Sequence, residues 1–92
     1  MTYEHEVSEL REEIDRLNEE IIEKIGERVC IATKIALIKR KYGKPVVDKQ
    51  RERVVLDHVR LSAIEKGVDP DGAERVFSEI IRLCVKAEES LR

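Results

Sequence analysis

Ninety-two residues are enough for one small domain, near the size at which burial alone leaves a thin stability margin. Charged side chains make up 41% and aromatics 3%, with no tryptophan, so a core has to be aliphatic, a composition suited to helices packed on helices. A net charge of -2 excludes a general attraction to nucleic acid or to anionic membranes, and any anion site must be local.

Residues before Glu6 are polar and are expected to fray. From about Glu6 to Lys41 the chain reads as one unbroken amphipathic helix. At about 100° per residue, Val7, Leu10, Ile14, Leu17, Ile21, Ile25, Val29, Ala32, Ile35 and Ala36 share a face. Arg11, Arg28 and Lys39 fall on the same face. An unpaired cation turned inward costs several kcal/mol, so such positions imply an anionic partner. The acids from Glu9 to Glu23 line the opposite, solvated side with Arg16 and Lys24 among them. Gly26, costly inside a helix, suggests a close approach by a neighbouring helix.

A helix of some 36 residues extends about 54 Å, whereas a compact chain of this length is only roughly 32 Å across. The two shorter helices downstream are expected to cover about half of its apolar stripe, and a second copy of the chain the remainder. The expectation is a homodimer. Lys39, Arg40 and Lys41 suit the negative end of the helix dipole, Gly43 the left-handed cap, and Pro45 blocks continuation.

Asp48 is an N-cap for a second helix, about 49–66, with Val55, Leu56, Val59 and Ala63 inward and Glu52 within a turn of them. Gly67 stops it. Asp69, Pro70 and Asp71 start a third helix, about 70–91, with the stripe Ala73, Val76, Phe77, Ile80, Ile81, Cys84 and Leu91. Glu88 lands on that stripe. The fold class is therefore all-α, with one long and two shorter helices and no strand signal, in a single domain over residues 1–92.

Cys30 and Cys84 are far apart and lack a CxxC partner, so both read as small buried apolar residues in a reducing compartment. The amino terminus has neither a cationic leader nor an apolar run, and no stretch approaches the ~20 apolar residues of a membrane span. A soluble, cytoplasmic protein without membrane or nucleic-acid partners is expected. His5 and His58 lie in unrelated contexts, so no metal site is expected. Cys84 has no His at helical spacing, so it reads as a packing thiol rather than a nucleophile, and there is no glycine-rich phosphate loop. Arg11, Arg28 and Lys39 against Glu52 and Glu88 leave positive charge over, which suits a small dianion and a reaction needing only positioning and charge stabilisation.

Leu10-Arg11-Glu12-Glu13-Ile14-Asp15, then Glu27-Arg28, Lys39, Pro45, Asp48, Arg51-Glu52-Arg53 and a last helix carrying Phe77, Ile80 and Ile81 resemble, in order and over almost the whole chain, the all-helical chorismate mutases. The resemblance implies an intertwined homodimer with paired first helices. It also implies a cofactor-free pericyclic rearrangement of chorismate to prephenate, in phenylalanine and tyrosine biosynthesis. Arg11 from one chain and Arg28 from the other would grip the two substrate carboxylates, Lys39 and Glu88 would address the ether oxygen, and Glu52 with Asp48 would hold the ring hydroxyl. Arg51 would order the carboxylate end, and Ile35, Ile81 and Val85 would form apolar walls. Where related enzymes often carry a small hydroxyl residue this chain has Cys84, a weaker donor toward a carboxylate. Competing expectations are an isochorismate pyruvate lyase of the same fold and a catalytically silent helical dimerisation module.

Overall fold

A computed structural model describes residues 2–91, and among them the chain forms three α-helices and no strand. Helix α1 runs Tyr3–Lys41, α2 Lys49–Glu65 and α3 Pro70–Glu89. Local chemistry sets the ends. The Thr2 hydroxyl accepts from the His5 N–H at 3.2 Å, so α1 starts three residues earlier than expected, and residues 3–5 are helical rather than frayed, while Met1 lies outside the described residues. The Asp48 carboxylate caps α2 by accepting from the Arg51 N–H at 3.0 Å. Asp69 does the same for α3 through the Gly72 N–H at 2.8 Å, with Pro70 opening the first turn.

Helices α1 and α2 end alike. Gly43 and Gly67 adopt φ of 66° and 72°, the left-handed region in which a Cβ is strained. The reversed chain then lets Lys44 N–H reach the Lys39 carbonyl and Val68 N–H the Ala63 carbonyl, both at 2.8 Å, satisfying carbonyls that the helix leaves open. Helix α3 stops at Ser90, whose hydroxyl donates to the Ala87 carbonyl, two residues short of the expected Leu91. Asp69→Ala is expected to lower unfolding free energy by about 1 kcal/mol, and Asp69→Asn to retain it, in denaturant titrations at fixed protein concentration.

The three helices do not wrap one another equally. Helix α3 packs on both α1 and α2, while α1 and α2 have no residues within 8 Å of each other, Cα to Cα. Sequence periodicity led to both short helices covering α1, but only α3 does so, because α2 spends its inward face on α3. Val55, Leu56 and Val59 are half-buried and Ala63 buried on α2, facing an α3 stripe with Phe77, Ile80 and Ile81 half-buried and Cys84 buried. Arg53 to Glu74 at 3.0 Å and Arg60 to Asp71 at 2.7 Å add solvent-facing links between the two helices, weakened by water and salt. Val76 lies away from this seam, 58% exposed, as does Leu91 at 39%.

Beyond the reach of α3, the first half of α1 stands alone. Leu10, Ile14, Leu17 and Ile21 are each more than half exposed. The chain is 62 Å long with a radius of gyration of 17.2 Å, against about 12 Å for a compact chain of this length. A Cβ built on Gly26 would meet nothing within 4 Å, so no helix of the same chain approaches it. Cys30 is exposed, contrary to its reading as a buried apolar residue, because α1 has no neighbour on that side; Cys84 is buried at 3%. Among the described residues no helix is long and apolar enough to cross a membrane.

Candidate active site

The second half of α1, the connection to α2, the first turns of α2 and the end of α3 enclose a cleft of about 370 Å³, in the range of small-ligand sites. Ile31, Ala32, Ile35, Val46, Val55, Ile81 and Val85 form its apolar walls. Its polar groups are Arg28, Lys39, Asp48, Arg51, Glu52, Cys84 and Glu88. Every site residue expected from the sequence except Arg11 thus lines one cleft. Helical spacing is the cause: Arg28, Ala32, Ile35 and Lys39 recur at i, i+4, i+7 and i+11 on α1, as Ile81, Cys84 or Val85 and Glu88 recur on α3.

The cations are held without being neutralised. Lys39 Nζ donates to the Val46 carbonyl at 2.7 Å, pinning the connection 42–48 while leaving two of its three protons free. Arg28 Nη1 donates to Cys84 Sγ at 2.9 Å. Among the described residues neither Arg28 nor Lys39 has a carboxylate within 4.0 Å. At the other end of the cleft, Asp48 uses one oxygen to cap α2. Glu52 has only an exposed Lys49 ammonium 3.6 Å away, a weak pairing in water.

Glu88 is the cleft acid that burial affects most directly. Its Oε2 is buried with no hydrogen-bond partner among the described residues. Burial pushes the carboxyl above its ordinary value of 4.5, against the opposing pull of Lys39 and then Arg28, and Glu89 adds a further upward push. The group therefore keeps its proton to higher pH than a solvated glutamate. A protonated carboxyl can donate a hydrogen bond and an ionised one cannot.

Arg11 is elsewhere. It lies seventeen residues before Arg28 on the same rigid helix, about 25 Å along the axis, and its exposed side chain sits 3.6 Å from Glu4. No motion of its own side chain brings it to the cleft.

Sequence reasoning missed the Val46 carbonyl, because a backbone acceptor has no residue-type signature. It also missed a second cleft of about 320 Å³ behind Glu88 and Val46, lined in addition by Ala36, Leu37, Arg40, Lys44, Pro45 and Leu91.

Unpaired cations, a carboxyl that burial biases toward its protonated form and two acids around a metabolite-sized cleft mark the class of helical proteins that handle a small anion by charge and position. Residues 10–89 match the family Chorismate mutase type II, and the chain belongs to that family, whose members are isomerases. It is similar to the bifunctional chorismate mutase/prephenate dehydratase of Aquifex aeolicus, 37% identical over 90 residues, covering 95% of this chain and 25% of that one. A chorismate mutase of Methanocaldococcus jannaschii is 32% identical over 75 residues, covering 82% of this chain and 76% of that protein. The T-protein of Haemophilus influenzae is 29% identical over 82 residues, covering 89% and 22% respectively. The chain thus spans about a quarter of the length of the Aquifex and Haemophilus relatives and about three quarters of the Methanocaldococcus one.

Proposed function

We propose that this chain rearranges chorismate to prephenate in the cleft between α1, α2 and α3, as a cytoplasmic homodimer supplying phenylalanine and tyrosine biosynthesis. Family membership supports the reaction. The observation that carries the assignment to this cleft is the convergence of Arg28, Lys39, Arg51, Asp48, Glu52 and Glu88 around one space.

Chorismate carries a carboxylate on its ring, a second on its enolpyruvyl side chain, and a ring hydroxyl. In the rearrangement one C–O bond breaks as one C–C bond forms, and no atom enters or leaves. The protein's task is to hold the compact conformer and to stabilise charge that develops on the ether oxygen. Arg28 would grip one carboxylate through a bidentate fork, and Arg11 of the partner subunit the other. The two free protons on Lys39 Nζ and the proton on Glu88 are suited to the ether oxygen. Glu52 and the uncommitted oxygen of Asp48 would accept from the ring hydroxyl, with Arg51 ordering the carboxylate end. Ile35, Ile81 and Val85 would press the reacting carbons together, and Cys84 would approach a carboxylate.

The dimer reading rests on Leu10, Ile14, Leu17 and Ile21, an apolar seam with no partner in its own chain, and on Arg11, inward-facing by the helical wheel yet remote from its own cleft. Two first helices paired along this seam would bury both stripes, and each would deliver its Arg11 to the other chain's site. The cytoplasmic placement rests on two free thiols.

The reading is tested by offering purified protein chorismate and isochorismate separately and identifying products. Prephenate from chorismate, with no pyruvate released from isochorismate, is expected. Pyruvate with salicylate would overturn the mutase in favour of the lyase, and turnover of neither substrate by a folded dimer would favour a silent dimerisation module.

A further inference from the structure

We infer that Cys84 is a positioning residue for Arg28, acting as a neutral tether that fixes the guanidinium while leaving its charge available to the substrate. This deepens the mutase reading and rests on it for its catalytic consequence. In that reading the thiol was a donor toward a carboxylate. The geometry gives it a different principal task.

Arg28 has a long, flexible side chain, and a carboxylate fork is useful only if the guanidinium waits in one orientation. Among the described residues its one hydrogen-bond partner is the Cys84 sulfur, 2.9 Å from Nη1. Cys84 is 3% exposed and sits on α3, the helix packed directly on α1, so the anchor point is itself rigid. A carboxylate at position 84 would orient the guanidinium equally well but would compete with the substrate for its charge. A thiol sulfur accepts weakly and carries no formal charge when protonated. The contact uses one of the five N–H groups of Arg28, and four remain for a bidentate grip. Arg28 thereby enters the ligand-free cleft oriented, charged and without a counter-ion.

The test compares Cys84→Ala, Cys84→Ser and Cys84→Val in the parent and in an Arg28→Ala background. The Val variant fills the volume without an acceptor, should the Ala variant fail to fold. Loss of the tether is expected to lower kcat/KM for chorismate about tenfold in the parent and less than about twofold when Arg28 is already gone. The loss should fall mainly on KM, and Cys84→Ser, which keeps an acceptor, should restore most of it. Equal losses in both backgrounds would mean that position 84 acts only by packing, and would overturn the inference.

A second readout needs no turnover. The Arg28 Nη1–H resonance in ¹⁵N NMR is expected to be sharp and protected in the parent and in Cys84→Ser, and broadened by solvent exchange in Cys84→Ala and Cys84→Val. A resonance indifferent to loss of the acceptor would overturn the tether whatever the activity. A protected, acceptor-dependent resonance in a parent that converts no chorismate would support the tether and overturn the mutase reading instead.

Discussion

Arg28→Ala is expected to cut kcat/KM on chorismate by about 10²–10³, the loss typical of removing one preorganised charge-stabilising donor, while helical content and oligomeric state stay unchanged. Arg28 is half-buried in the cleft and pairs with no carboxylate among the described residues, so its removal breaks no ion pair there. What remains is smaller and better solvated. Thermal stability should therefore hold or rise slightly, the signature of a cation kept for a ligand rather than for the fold. Circular dichroism melts beside steady-state kinetics check both halves of this expectation. If Arg28→Ala instead unfolded the chain, Arg28 would be structural and the cleft would lose its main claim to an anion.

Glu88→Gln is expected to replace a pH-dependent activity with a flat one. Because burial raises the folded-state pKa of Glu88 above its ordinary value of 4.5, the proton persists on the acidic side and is lost as pH climbs through the raised value. Activity that needs this proton is full in mild acid and declines toward alkaline pH. Glutamine donates at every pH and should show no such decline. The same sign governs stability: the favourable contribution of protonated Glu88 is complete below the ordinary value and is lost as pH rises through the folded one. The Gln variant should consequently melt a few degrees above the parent on the alkaline side of that raised value, where the parent buries a charge with an unpartnered oxygen. That difference should close below about pH 4.5. Matched pH–rate and pH–melting series decide it; a flat parent profile would remove Glu88 from the proposed proton-donating role.

Both features were legible in the sequence for the same reason. Arg28, Lys39, Glu52 and Glu88 are charges where helical periodicity calls for apolar side chains, and the structure brings all four to one cleft. Asp48, Gly43, Gly67 and Asp69 mark helix ends through cap chemistry that depends on adjacent residues alone, so those ends could be read without knowing the fold. The start of α1 was less visible, because Thr2 sits in a polar run with no apolar repeat to lead back to it.

Periodicity says which face is buried and not against what. That is why α2 was expected on α1 but packs on α3, and why Cys30 was expected inside but is exposed. The two hydrogen bonds that hold the cations, Lys39 to the Val46 carbonyl and Arg28 to Cys84, join residues 7 and 56 positions apart. Neither has a sequence pattern, since one acceptor is backbone and the other is a residue type usually found in cores. Arg11 lies at the limit of such reading. Its place on the apolar stripe is visible, but the chain by itself leaves it about 25 Å from the cleft, and only the resemblance suggested which molecule it serves.

The most direct test of a charged mutase site assembled from two chains mixes Arg11→Ala and Arg28→Ala proteins after unfolding and refolding them together. Each variant alone should be nearly silent on chorismate. In the mixture half the dimers are hybrids, and each hybrid has one site with both arginines intact, so prephenate formation should return to about a quarter of the parent rate. No recovery, with hybrid dimers verified by native mass spectrometry, would contradict delivery of Arg11 across the interface and with it the shared site proposed for this protein.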